Sequence, residues 1–106
     1  MNNNHLILND LKQLLYDKFP HLIDKIILFG SQINQKFTEF SDYDILIILK
    51  NDYDWKLESD IIDLCYDIDL KYNIITDIKI ISQNELNEPR GKQSYIQDAI
   101  NTGIYA

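Results

Sequence analysis

The chain has 106 residues, of which 45% are hydrophobic and 25% are charged, and its formal net charge is −7. This composition excludes a disordered chain, and the length predicts one domain spanning residues 1–106. The acidic balance argues against a protein whose main task is binding nucleic acid, which requires a basic surface. It fits metal ions better, or a basic protein partner.

Sequence signals for membrane insertion, export and zinc binding are absent. The longest apolar run, Ile45–Leu49, is far shorter than the ~20 residues of a membrane span. Residues Met1–His5 lack the basic start and apolar stretch of a signal peptide, so we expect a cytoplasmic protein. The single cysteine, Cys65, excludes an internal disulfide and is predicted to lie in the core. His5 and His21 have no Cys/His cluster around them, so zinc is not expected.

The first third of the chain predicts a helix followed by a buried strand. Apolar residues at helical spacing indicate a helix over about residues 5–18, which Pro20 ends. The short apolar run Lys25–Phe29, closed by Gly30, is typical of a buried strand. Ser31 is then well placed to open a short helix or a turn.

The rest of the chain alternates between strand and helix patterns. Strands are predicted over residues 42–50 and 74–81, and helices over about 54–72 and 92–101, with Gly103 just past the last helix. One face of the middle helix is predicted to be apolar and buried: Trp55, Leu57, Ile61, Leu64, Cys65 and Ile68. Trp55 and Leu57 could instead belong to a partner surface. The opposite face of this helix carries Asp60, Asp63, Asp67 and Lys71. The three aspartates predict a solvated face or, alternatively, a contact with a basic partner. The order of elements predicts a compact α/β (α+β) fold with one small mixed sheet and helices packed on it.

Three carboxylates stand in or beside these predicted strands. Asp42 and Asp44 are two apart, so they project from the same face of the second strand. Two neighbouring carboxylates repel each other, and Mg²⁺ removes that cost by binding carboxylate and phosphate oxygens together. Asp77 lies within the third strand and can face the pair if the two strands are neighbours. Three such carboxylates would suit a two-metal site, with ions roughly 4 Å apart, for phosphoryl transfer.

The dipeptide Gly30-Ser31 is a candidate phosphate-binding element. A glycine after a buried strand lets the backbone approach a phosphate closely, and a following helix N-terminus offers free N–H groups. The Ser31 hydroxyl could donate to the same phosphate. Neither Gly-Ser nor Asp-x-Asp is specific alone, but their combination with a lone aspartate in a later strand is far more specific.

These residues resemble a known family. Phe29-Gly30-Ser31, ten intervening residues and then Asp42-Tyr43-Asp44 resemble the DNA-polymerase-β-like nucleotidyltransferase superfamily. The closer resemblance is to the minimal nucleotidyltransferases, or MNT proteins, which pair as antitoxins with HEPN-type toxins. Asp77 matches the third acidic position of the family, and the tail over residues 96–105 looks like its closing helix and strand.

The resemblance implies a set of roles. Gly30 and Ser31 would bind the triphosphate of ATP. Asp42, Asp44 and Asp77 would hold Mg²⁺, and Asp77 would help to activate the attacking hydroxyl. The reaction would be transfer of AMP from ATP to a hydroxyl of a HEPN-type toxin, most simply a tyrosine, within a homo- or hetero-oligomer.

One departure from the family pattern leaves alternatives open. Family members often carry Arg-Gly a few residues after Gly-Ser, where this chain has Asn34-Gln35. The missing Arg removes a bidentate phosphate donor, for which Lys36 or Lys79 could compensate. A second hypothesis is therefore an inactive binding module that neutralises a toxin by forming a complex with it. A third is a small-molecule nucleotidyltransferase, which would be expected to need an additional helical domain.

Overall fold

The computed structural model describes residues 4–30 and 43–106. Its three α-helices are α1 (Asn4–Lys18), α2 (Trp55–Tyr72) and α3 (Ser94–Thr102), and its four strands are β1 (Ile23–Phe29), β2 (Tyr43–Leu49), β3 (Thr76–Ser82) and β4 (Ile104–Tyr105). Two short 3-10 helices, Asn84–Asn87 and Pro89–Lys92, connect β3 to α3. The expected mixed α/β fold is confirmed. No helix in the described ranges has the length and apolarity needed to cross a bilayer.

The four strands form one mixed sheet in the order β3-β2-β1-β4. β1 is antiparallel to β2 and to β4, whereas β2 and β3 run parallel and are joined by α2. β4, which follows α3, agrees with the closing strand that the family resemblance implied. The two 3-10 helices were not predicted, because such short turns leave no periodic apolar pattern.

Each face of the sheet carries its own apolar core. The strand residues that alternate toward one face pack under α1 and α2, as Ile45 and Ile47 do. Those that point to the other face pack under α3, as Leu46 and Ile48 do. Because both faces are covered, β2 reads as a continuous apolar run rather than an alternating one.

Helix α2 is capped at both ends. The Asp54 carboxylate accepts a hydrogen bond from the Leu57 N–H at 2.9 Å, and Asn73 ends the helix with a left-handed φ of 54°. Ile61 and Ile68 are buried as predicted. Burial also raises the pKa of the Cys65 thiol to about 12, so this cysteine is a protonated core residue at neutral pH.

Three apolar residues of the predicted helical patterns lie outside the core. Of the two expectations for Trp55, the place at the start of the buried face of α2 is wrong, because the residue is 79% exposed. At 100° per residue, Trp55 lies roughly 120° around the helix from the buried Ile61. Its apolar character alone therefore does not place it on the buried face. On α1, Leu6 and Tyr16 share the helical period but are also exposed.

A polar cluster anchors the 3-10 helices to the sheet. Arg90 donates to the Tyr53 hydroxyl and to Glu85, both at 3.0 Å, and to the Ile80 carbonyl at 2.9 Å. The Tyr53 hydroxyl in turn donates to the same carbonyl at 2.9 Å. Burial, reinforced by Glu85, raises the pKa of Tyr53 to about 12.

This cluster makes the free energy of unfolding depend on pH in the alkaline range. The folded protein keeps the Tyr53 proton up to about pH 12, whereas the unfolded chain releases it near pH 10.0. Between these values the folded state binds more protons, so the free energy of unfolding falls as pH rises. We expect urea unfolding to show a steeper alkaline loss for the wild type than for Tyr53→Phe. Equal slopes would contradict the assignment.

Candidate active site

The β2–β3 pairing brings together two of the predicted carboxylates. Asp44 and Asp77 are direct partners in the parallel register of β2 and β3. Neighbouring strands are about 4.8 Å apart, so the two Cα atoms lie side by side. The sequence left open whether Asp77 could face the Asp-x-Asp pair, and this register places it beside Asp44.

Both carboxylates project from the sheet face that α3 covers. Asp44 shares its side of β2 with Leu46 and Ile48, and Asp77 shares its side of β3 with Ile81. The two acidic residues stand where these strands begin, and neither residue is buried. Two adjacent carboxylates at the end of an apolar layer are hard oxygen donors, and this donor chemistry fits Mg²⁺.

Gly30 lies directly against Asp44. It follows β1, whose last residue, Phe29, pairs with Asp44, and its φ is +83°. A Cβ at Gly30 would overlap the Asp44 carboxylate, with even the carboxyl carbon only 3.1 Å away. Glycine is therefore required twice, by the left-handed backbone and by the neighbouring side chain.

Lys79 is the cation next to the third carboxylate. Its Nζ donates to Oδ1 of Asp77 at 3.2 Å, and both side chains are 41% exposed. The two residues are two apart on β3 and so share one face of the sheet. An exposed pair of this kind contributes little to stability. It does place a positive charge within reach of the Asp44–Asp77 pair.

The remaining predicted site residues, Ser31, Lys36 and Asp42, lie outside the described residues, as does Asn34. Within residues 4–30 and 43–106, no three His, Cys, Asp or Glu side chains are grouped so as to hold a metal ion. The described part of the site therefore consists of Gly30, Asp44 and Asp77, with Lys79 beside them. The three-carboxylate metal site stays a prediction.

A depression next to Asp77 was not anticipated. It has a volume of about 380 Å³ and lies between α2 and β3, with Ile62, Tyr66, Thr76 and Asp77 among its lining residues. In the sequence, the depression could have been inferred only from apolar residues of α2 that lie outside the buried face of the helix. These residues can be recognised as exposed only after the structure shows which face of α2 is buried.

The chain matches a protein-family model. Residues 9–101 match the family described as polymerase beta, nucleotidyltransferase. The match covers most of the chain and includes Gly30, Asp44 and Asp77.

Two proteins of Methanocaldococcus jannaschii are similar in sequence. The one named "Putative protein adenylyltransferase MJ0604" is 33% identical over 101 residues, covering 95% of each chain. "Putative protein adenylyltransferase MJ0141" is 33% identical over 95 residues, covering 90% of this chain and 86% of the relative.

Solved structures of the toxin–antitoxin MntA–HepT share the fold. A mutant form aligns with a TM-score of 0.60 and 19% identity, covering 92% of this chain and 69% of the other. The unaltered form gives a TM-score of 0.55 and 20% identity, with coverages of 95% and 69%. With the family match over residues 9–101 and the Asp44–Asp77 pair in register, the chain belongs to the polymerase β nucleotidyltransferase family.

Proposed function

We propose that this protein transfers AMP from ATP to a hydroxyl group of a partner protein. The observation that carries the proposal is the in-register pair of Asp44 and Asp77, with Gly30 packed against Asp44. Membership of the nucleotidyltransferase family supports the reaction class, and the two archaeal relatives named as protein adenylyltransferases support a protein acceptor.

The reaction assigns a role to each site residue. The acceptor oxygen attacks the α-phosphorus of ATP, the bond from that phosphorus to the bridging oxygen breaks, and pyrophosphate leaves. Asp77 accepts the hydroxyl proton, and Asp42, Asp44 and Asp77 would hold Mg²⁺. The metal would neutralise charge on the phosphates and the leaving group. Gly30, Ser31 and Lys36 would contact the triphosphate.

The proposed acceptor is a tyrosine of a HEPN-type toxin. The structural relatives are MntA–HepT toxin–antitoxin structures, and the shared fold motivates the same kind of pairing for this chain. AMP transfer would then silence the toxin. The net charge of −7 suits a partner with a basic surface.

Labelled ATP tests the proposal. The purified protein is incubated with ATP labelled at the α-phosphate, Mg²⁺ and the protein encoded by the adjacent reading frame. We expect label on that protein, dependent on Mg²⁺ and sensitive to phosphodiesterase. No label on the neighbour, while the two proteins form a tight complex that Asp44→Ala leaves intact, would instead establish the non-catalytic binding module.

A further inference from the structure

One face of α2 exposes large apolar side chains along its length. Their exposed fractions are 79%, 43%, 58% and 66%, and their spacings of seven, four and four residues place them on one line of the helix. They define the α2 stripe: Trp55, Ile62, Tyr66 and Leu70. Large apolar side chains exposed along one line of a helix are typical of a protein interaction surface.

Acidic residues border the α2 stripe on both sides. At 100° per residue, Glu58 and Asp69 lie along one border. Along the other border lie Asp60, Asp63 and Asp67. The two lysines of α2 are already paired with carboxylates: Lys56 with Asp60 at 3.9 Å, and Lys71 with Asp10 at 2.8 Å. An apolar line between carboxylates is complementary to an amphipathic helix whose apolar face is flanked by Lys and Arg.

The α2 stripe extends to the edge strand that carries Asp77. Ile62 and Tyr66 line the 380 Å³ depression from the helix side, and Asp77 lines it from the strand side. Thr76 donates to Asp69 at 2.6 Å, which ties the C-terminal half of α2 to the start of β3. β3 is an edge strand, and Ile75 just before it is 60% exposed, so the apolar surface continues to the sheet edge.

We propose that the α2 stripe is the docking surface for the protein acceptor, and that it receives a basic amphipathic helix of that partner. A helix lying there runs beside the β3 edge on the α2 face. The Asp77 carboxylate projects from the opposite face, so the docked partner would reach it around this edge strand. The inference rests on the proposed function for the identity of the partner as acceptor. The charge and apolar pattern of the surface do not depend on it.

Substitutions on the α2 stripe test this docking directly. Binding of the protein encoded by the adjacent reading frame is measured by calorimetry for the wild type, Tyr66→Ser and Leu70→Ser. Because truncating a central apolar contact strongly weakens an interface, we expect each variant to bind at least about tenfold more weakly. Both side chains are exposed, so the thermal midpoint should stay close to that of the wild type.

A matched control lies at the far side of the sheet. Tyr105 is 44% exposed on β4, the edge strand opposite β3. Tyr105→Ser should leave partner affinity within about twofold of the wild type. The carboxylates that border the α2 stripe give a second readout, since raising NaCl from about 0.05 M to about 0.5 M should weaken wild-type binding. Asp63→Asn combined with Asp67→Asn should reduce that salt dependence.

The outcomes separate docking from catalysis. Wild-type affinity in Tyr66→Ser and Leu70→Ser, with AMP transfer intact, overturns the docking proposal and leaves the proposed function standing. Stripe-dependent binding without AMP transfer by the wild type supports docking and refutes the proposed function. Self-association of the wild type that these two variants abolish, measured by light scattering, overturns the proposal in favour of a second copy of this chain.

Discussion

Replacing Asp44 by asparagine is expected to lower the rate of AMP transfer on the order of a thousandfold, because Asp44 is proposed as a metal ligand and such a ligand contributes several kcal/mol of transition-state stabilisation. Asparagine keeps the shape of the side chain beside Gly30 and removes only its charge, so the protein should remain folded. Initial rates of label transfer at saturating ATP measure the effect, and circular dichroism checks the fold.

A charge-matched control shows whether the effect of Asp44→Asn comes from the place of this carboxylate in the site or only from the change in net charge. Asp17 is an exposed carboxylate on α1, so Asp17→Asn changes the net charge equally and should transfer AMP at the wild-type rate. Asp77→Asn should resemble Asp44→Asn, since the two residues are partners in register. An Asp44→Asn protein that retains wild-type turnover would remove this carboxylate from the mechanism.

Gly30→Ala is expected to reduce both stability and activity. Its φ of +83° costs an alanine about 1–2 kcal/mol, and the added Cβ overlaps the Asp44 carboxylate. A combined cost of about 2 kcal/mol or more would lower the thermal midpoint by roughly 10 °C. The displaced Asp44 would also lose its position for metal binding, so AMP transfer should fall together with stability.

A double-mutant cycle separates the two causes. In an Asp44→Ala background the carboxylate is gone, so Gly30→Ala should cost only the backbone strain of about 1–2 kcal/mol. The free energy of unfolding of the four proteins, measured in urea, gives the coupling between the two residues. Strict additivity would contradict the close packing of Gly30 on Asp44.

Much of the fold followed from apolar patterns in the sequence. The runs before Gly30 and after Asp42 identified β1 and β2, because strands buried on both faces carry continuous apolar residues. The placement of Asp77 beside Asp44 depended on strand order and register, which periodicity does not encode. Trp55 shows the limit of the same reasoning, because apolar character alone does not distinguish a core side chain from an exposed one.

The sequence named more residues of the candidate site than the described part of the structure contains. Asp44 and Asp77 were identified from spacing and from family resemblance, and the structure makes them neighbours. The second requirement for glycine at position 30, the Asp44 carboxylate beside it, could not be foreseen from a local motif. The depression between α2 and β3 was equally hidden, since it arises from two segments that are brought together only by the fold.

Intact-mass spectrometry of the partner shows whether it receives AMP from this protein. The protein encoded by the adjacent reading frame is co-produced with this chain, purified and weighed. We expect a mass increase of one or more AMP units with the wild type, mapped by fragmentation to a hydroxyl side chain, and no increase with Asp44→Asn. An unmodified partner in a stable complex with the wild-type chain would contradict the claim.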